Sequence, residues 1–152
     1  VLSHVPEDAK RIADLYCGCG TFAFRLASRA PVSAVEGDDA ALTALQSAAR
    51  SAGLADRVSA ERRDLARRPL SPDELEPFHC VVFDPPRVGA RAQTELLAQS
   101  RVPRIIAVSC NPASFARDAR ILVDGGYRLT SLAPLDQFPW SAHVELVARL
   151  ER

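Results

Sequence analysis

The sequence is poor in lysine, in net charge and in long apolar runs. Lys10 is the only lysine among 19 basic residues, so nearly all positive charge is arginine. The 19 acidic residues cancel it, and the formal net charge is zero. That excludes a strongly basic module binding nucleic acid on its own, which needs a positive surface. No run approaches the length of a membrane span, and the amino end has no signal-peptide pattern. The four cysteines, Cys17, Cys19, Cys80 and Cys110, form no C-x-x-C pair, and the three histidines are scattered. This argues against a zinc site, and no metal is expected. A disulfide framework is not expected in a chain of this size, and the cysteine usage points to a reducing cytoplasm. There is no internal repeat, low-complexity segment or second domain.

What remains is ordinary for one globular domain: 152 residues, 47% hydrophobic and 25% charged. The chain opens on Val1 rather than Met and is expected to be a C-terminal piece of a longer protein. Apolar runs alternate with Ala/Leu-rich amphipathic segments. Strands are predicted over 11–16, 32–36, 58–61, 80–84 and 104–108, and helices over 21–29, 38–52, 90–100 and 112–123. Gly53 stops the second helix and Gly125-Gly126 the last. The polar, proline-bearing stretch 67–77 carries no predicted element. Residues 127–132 and 144–150 are the final strands, with nothing helical between them. This β-α-β-α rhythm implies an α/β fold, a Rossmann-like, mostly parallel seven-stranded sheet with helices on both faces. The last pair lacks a crossover helix and should be antiparallel. Arg62-Arg63 and Arg67-Arg68 read as a solvated basic face.

Ligands of open α/β sheets bind beyond the carboxyl ends of the strands. The first strand runs into Asp14-Leu15-Tyr16-Cys17-Gly18-Cys19-Gly20-Thr21-Phe22, where Gly18 and Gly20 permit close backbone approach to a ligand. The third glycine of a dinucleotide fingerprint is replaced by Ala23. The second strand ends in Glu36, whose carboxylate can accept from both ribose hydroxyls of a nucleoside. Asp64 follows the third strand, within reach of an adenine amino group. An NAD-dependent dehydrogenase and an S-adenosylmethionine-dependent methyltransferase both fit these residues. The fourth strand favours the second, because Asp84-Pro85-Pro86-Arg87 sets a carboxylate, a rigid turn and a guanidinium in succession. Cys17 and Cys19 are expected to pack or to lie near the cofactor, and Cys80 to sit in the core.

The fifth strand ends in Ser109-Cys110-Asn111-Pro112. Asn111 can cap the next helix and Pro112 can open it. Cys110 then faces the positive end of a helix dipole, an environment that favours a nucleophilic thiol. Glu145 opens the last strand thirty-five residues later, so both residues can reach one sheet edge. If the last strand begins by residue 143, alternation puts His143 on the face of Glu145, and either could act as a base.

Four segments together resemble the RNA uridine-5-methyltransferases, which make 5-methyluridine in tRNA or rRNA with S-adenosylmethionine. They are residues 14–22; Asp84-Pro85-Pro86-Arg87-Val88-Gly89; Ser109-Cys110-Asn111-Pro112 running on to Ala116-Arg117-Asp118; and 136–145. They occur in the family's order and cover the chain from about residue 11 to its end. The first is shared with many methyltransferases, whereas the last two together are highly specific. Ser114 and Ser141 stand where threonine is expected. The resemblance implies that residues 1–152 are a class I methyltransferase catalytic domain. It implies Cys110 as nucleophile and Glu145 as general base, with Asp84 helping to hold substrate and cofactor together. It places Tyr16, Gly18, Glu36 and Asp64 on the S-adenosylmethionine side, and leaves His143 a supporting role.

The resemblance also implies what this sequence does not contain. Family members carry an amino-terminal RNA-binding barrel and a middle region, in some with an iron–sulfur cluster, and an upstream glutamine-bearing segment that touches the cofactor. The expected partner is RNA, bound weakly by this domain alone, and the expected state is a monomer. Two other readings stand beside this one: an amine methyltransferase using the Asp-Pro-Pro loop, and a non-catalytic Rossmann-like domain for RNA docking.

Overall fold

A computed structural model describes residues 1–136, 140 and 144–152. Its strands are β1 (Ile12–Leu15), β2 (Val32–Glu36), β3 (Val58–Arg62), β4 (Cys80–Phe83), β5 (Arg104–Ser109), β6 (Arg128–Leu135) and β7 (Glu145–Glu151). Its helices are α1 (Ala23–Leu26), α2 (Asp39–Ser51), α3 (Pro72–Leu75), α4 (Arg91–Leu97) and α5 (Pro112–Asp124). The strands form one seven-stranded sheet in the order β3-β2-β1-β4-β5-β7-β6. Strands β1 to β5 pair in parallel, while β7 pairs antiparallel with both β5 and β6. The last strand therefore inserts between its two predecessors instead of extending the edge.

Period-two alternation divides the core between the two faces of this sheet. Ile12, Cys80, Val82 and Ile106 pack with Leu26 of α1 and Leu45 of α2. Ala13, Leu15, Val81, Phe83 and Ile105 pack with Leu75 of α3, Leu97 of α4 and Leu122 of α5. Both faces of the central strands are covered, which is why β4 and most of β5 read as unbroken apolar runs, and β1 as one interrupted only by Asp14, rather than as alternating patterns.

The structure departs from these expectations at several elements, the helix expected over 90–100 being Arg91–Leu97. The helix expected over 21–29 is only Ala23–Leu26: positive φ at Tyr16, Gly18 and Gly20 keeps the preceding chain in a long turn, and residues 27–29 follow as turn rather than helix. The stretch 67–77 contains α3, fixed by a capping box: Ser71 Oγ accepts from the Glu74 amide and Glu74 accepts from the Ser71 amide. Strand β6 runs on to Leu135, as an edge strand with most residues exposed. The expected positions of Ser141 and His143, and most of the connection before β7, lie outside the described residues.

A candidate active site at the carboxyl edge of the sheet

The β5–β7 ladder pairs Arg104 with Glu151 and ends with Ser109 opposite Leu146. Cys110 is the residue after Ser109 and Glu145 the residue before Leu146, so both sit just beyond the last pair of this ladder. The chain leaves β5 cleanly here: Asn111 Oδ1 accepts from the Ala113 amide at 3.0 Å and Pro112 occupies the first helical position of α5. Ser109 Oγ accepts from the Asn111 amide at 3.2 Å, fixing the backbone on both sides of Cys110.

Cys110 and Glu145 line an open cleft of about 570 Å³ together with Asp84, Thr21, Phe22 and Leu135. Asp84 follows β4, and its amide donates to Leu15 O at 3.3 Å. Burial, followed by the nearby charge of Glu145, pushes the Asp84 carboxyl up to about 6. The other thiols have different surroundings. Cys17 and Cys80 are buried in the core, and desolvation raises both, Cys80 to about 12. Cys19 is exposed.

The other sequence-predicted residues gather across the first turn. Glu36 is held by three backbone amides: Oε2 accepts from Gly18 at 2.9 Å, and Oε1 accepts from Gly37 at 2.7 Å and Asp38 at 2.9 Å. Each carboxylate oxygen has two acceptor positions, so Oε2 retains one for a further donor. Gly18 has φ +54°, and a Cβ there would meet nothing within 4 Å, so its surface stands open to a ligand. Asp64 is more committed than the sequence suggests. Its Oδ1 accepts from the Ala66 and Arg67 amides, and it borders a hollow of about 350 Å³ with Gly37, Arg62 and Arg68. Tyr16 is a non-glycine residue at φ +59°. Its hydroxyl is pushed up to about 12 by burial and by the charges of Asp118, Asp64 and Glu36.

Sequence reasoning missed Thr21 and Phe22 on the cleft wall and the condition of Asp14. Asp14 is fully buried beneath the glycine turn, and neither carboxyl oxygen has a hydrogen-bond partner among the described residues. Burial and the charge of Asp84 raise it to about 8. The signal was present, an acid inside an otherwise apolar strand, but a strand-end carboxylate looks solvated until both faces are known to be covered. Among the described residues no group of three or more His, Cys, Asp or Glu could hold a metal ion. Among the described residues no helix is long and apolar enough to cross a membrane.

A sheet of this order, with β7 inserted antiparallel beside β5, is the class I methyltransferase fold. Within that class the chain belongs to the tRNA (uracil-5-)-methyltransferase family, whose model matches residues 2–152. It is 58% identical over 144 residues to an uncharacterized RNA methyltransferase of Mesorhizobium japonicum, covering 95% of this chain and 35% of that protein. It is 42% identical over 148 residues to the 23S rRNA (uracil(1939)-C(5))-methyltransferase of Chromohalobacter salexigens, covering 97% and 30%. The Pyrococcus abyssi tRNA (uracil-54, C5)-methyltransferase, solved with S-adenosyl-L-homocysteine, superimposes with a TM-score of 0.85 at 32% identity, covering 98% of this chain and 36% of that one. The chain thus spans about a third of the length of the relatives it matches.

Proposed function

We propose that residues 1–152 form the catalytic domain of an enzyme that methylates C5 of a uridine in tRNA or rRNA, through a covalent bond between Cys110 and C6. The observation that carries this reading is that Cys110 and Glu145, from the adjacent ends of β5 and β7, line one cleft with Asp84. An amine methyltransferase needs a carboxylate loop but neither a thiol nor a facing base.

The chemistry requires both groups. C5 of uracil is a poor nucleophile. Addition of the Cys110 thiolate to C6 converts the ring into an enolate with electron density at C5, which then takes the methyl group. Glu145 removes the C5 proton, the electrons of the C–H bond reform the C5–C6 double bond, and the thiolate leaves. Asp84, half-buried beside both, can accept a hydrogen bond from the substrate ring or from the cofactor.

The cofactor side suits S-adenosylmethionine, which supplies an electrophilic methyl on a sulfonium. Gly18 offers open backbone, and the acceptor position left on Glu36 suits a ribose hydroxyl. Asp64 and the Gly37 hollow suit the base beyond it. The zero net charge assigns little of the RNA affinity to this domain.

The test is trapping with RNA carrying 5-fluorouridine, which has no C5 proton to lose. The protein at its full natural length, given cofactor and that RNA, should form an adduct that survives denaturation and is absent in Cys110→Ala. No adduct under conditions where the RNA is bound would remove the covalent mechanism. Full activity in Cys110→Ala would return the amine reading.

A further inference from the structure

The Pro85–Ala90 loop is gripped from one side by four side chains at the start of α5. Asn111 Nδ2 and Ser114 Oγ both donate to Arg87 O, at 3.0 and 3.1 Å. Arg117 Nη2 donates to Val88 O at 3.0 Å, and the Ala90 amide donates to Asp118 Oδ2 at 2.7 Å. The spacing 111, 114, 117 and 118 places all four on one helical face. Every one of these bonds ends on loop backbone, so the grip fixes the path of the loop regardless of its side chains.

Asp118 is the centre of this arrangement. It is buried, its Oδ2 serves the loop, and its Oδ1 accepts from Arg117 Nε and Nη2 at 2.9 and 2.7 Å. Arg117 is thereby aimed at Val88 O. Gly89 seals the fit: at φ +83° its missing Cβ would lie 2.6 Å from Asp118 Oδ2, so no other residue leaves the contact intact. Asp118 is buried but Arg117 is exposed, and an ion pair open to solvent on one side is a poor source of stability in itself. What this pair supplies is geometry. The loop begins at Asp84, and the helix that grips it is capped by Asn111, the residue after Cys110.

We propose that Asp118, oriented by Arg117, is a positioning residue that locks the Asp84 loop to the start of α5 and so fixes Asp84 relative to Cys110. This rests on the covalent C5 reading above. Misplacement of reacting groups by about 1 Å lowers the rate by about a hundredfold.

The test uses Asp118→Ala and Asp118→Asn in the protein at its natural length, assayed at a temperature where thermal melts show every variant folded. Asp118→Ala removes the acceptor of the Ala90 amide and should lower kcat by about thirtyfold, leaving the dissociation constant for S-adenosylmethionine and the alkylation rate of Cys110 within about twofold. Asp118→Asn keeps a carbonyl oxygen for Ala90 and should recover kcat to within about fivefold of the wild type. The proposal falls if Asp118→Ala retains kcat within about twofold, if its loss follows the folded fraction, or if Asp118→Asn recovers nothing. Should Asp118→Ala not fold, Arg117→Met carries the test, because it strips the donor from Val88 O and keeps the acceptor for Ala90. A kcat near wild type there overturns the proposal, and a loss of about tenfold supports it. A wild type without C5 methylation would refute the underlying reaction instead, which separates the two failures.

Discussion

Cys110, the residue after β5, and Glu145, the first residue of β7, line the wall of one cleft. With Cys110 as nucleophile and Glu145 as base, removing the base stops the reaction after the covalent bond has formed. Glu145→Gln should therefore accumulate a denaturation-stable adduct with ordinary uridine RNA, while turnover falls by about a hundredfold or more. Gel mobility under denaturing conditions, with Cys110→Ala as the blank, reads this directly. Turnover within tenfold of the wild type and no adduct would remove Glu145 from the role.

The same cleft joins Asp84 to Glu145 electrostatically. Burial is the larger reason why Asp84 rises to about 6, and the Glu145 charge is the second. Glu145→Gln removes the second cause and keeps the first. The Asp84 pKa should fall, yet stay above the ordinary aspartate value of 3.8. Carboxyl carbon NMR across pH 3 to 8 measures the shift, and an unchanged or higher value would contradict the closeness of the two groups.

Asp14 links the site to stability. Its folded value of about 8 lies above the ordinary 3.8, so the native state keeps a proton that the unfolded chain has released between those limits. Stability then falls as pH rises through that window, and below it the penalty vanishes. Asp14→Asn, which cannot ionise, should gain on the wild type between pH 5 and pH 8 by about 2 kcal/mol or more, from one pKa unit being about 1.4 kcal/mol. Urea denaturation at the two pH values checks the difference. Equal offsets at both would show that Asp14 is not held protonated.

Much of this was readable from the residues because strand and helix periodicities are strong over buried segments. The cap at Asn111, the glycine turn after β1 and the strand-end position of Glu36 follow from local chemistry. Register does not. That Cys110 meets Glu145 depends on β7 inserting beside β5, which a linear pattern of strands leaves open. Helix α3 was missed because four residues give no periodicity, although Ser71-Pro72-Asp73-Glu74 carries the capping-box signal. The arginine cluster divides in the same way. Arg62, Arg67 and Arg68 are solvated as expected, but Arg63 is buried and does not belong to that face. Its difference comes from where the chain turns after β3, a tertiary fact.

Arg63 instead ties that turn together. Its Nε donates to Arg68 O at 2.7 Å and its Nη2 to Pro69 O at 2.9 Å, while the guanidinium grips Glu74 at 2.6 and 2.9 Å. The hydrogen bond from Arg63, with that from the Ser71 amide, draws Glu74 down to about 2. A depressed carboxylate stabilises the fold above its ordinary value of 4.5 and loses that contribution as pH falls toward 2. Arg63→Met leaves two backbone carbonyls without their donor and Glu74 without its partner, at a cost of about 2–3 kcal/mol at pH 7, discounted for the half-exposed glutamate. For a chain of this size that is a fall in Tm of about 5–10 °C. Arg62→Met, which breaks only the exposed pair with Asp39, should cost under about 0.5 kcal/mol. Melting the two variants at pH 7 and pH 3 decides the matter: the Arg63 deficit should shrink at pH 3, where Glu74 is partly protonated once freed, and equal deficits for both arginines would place Arg63 back on the solvated face.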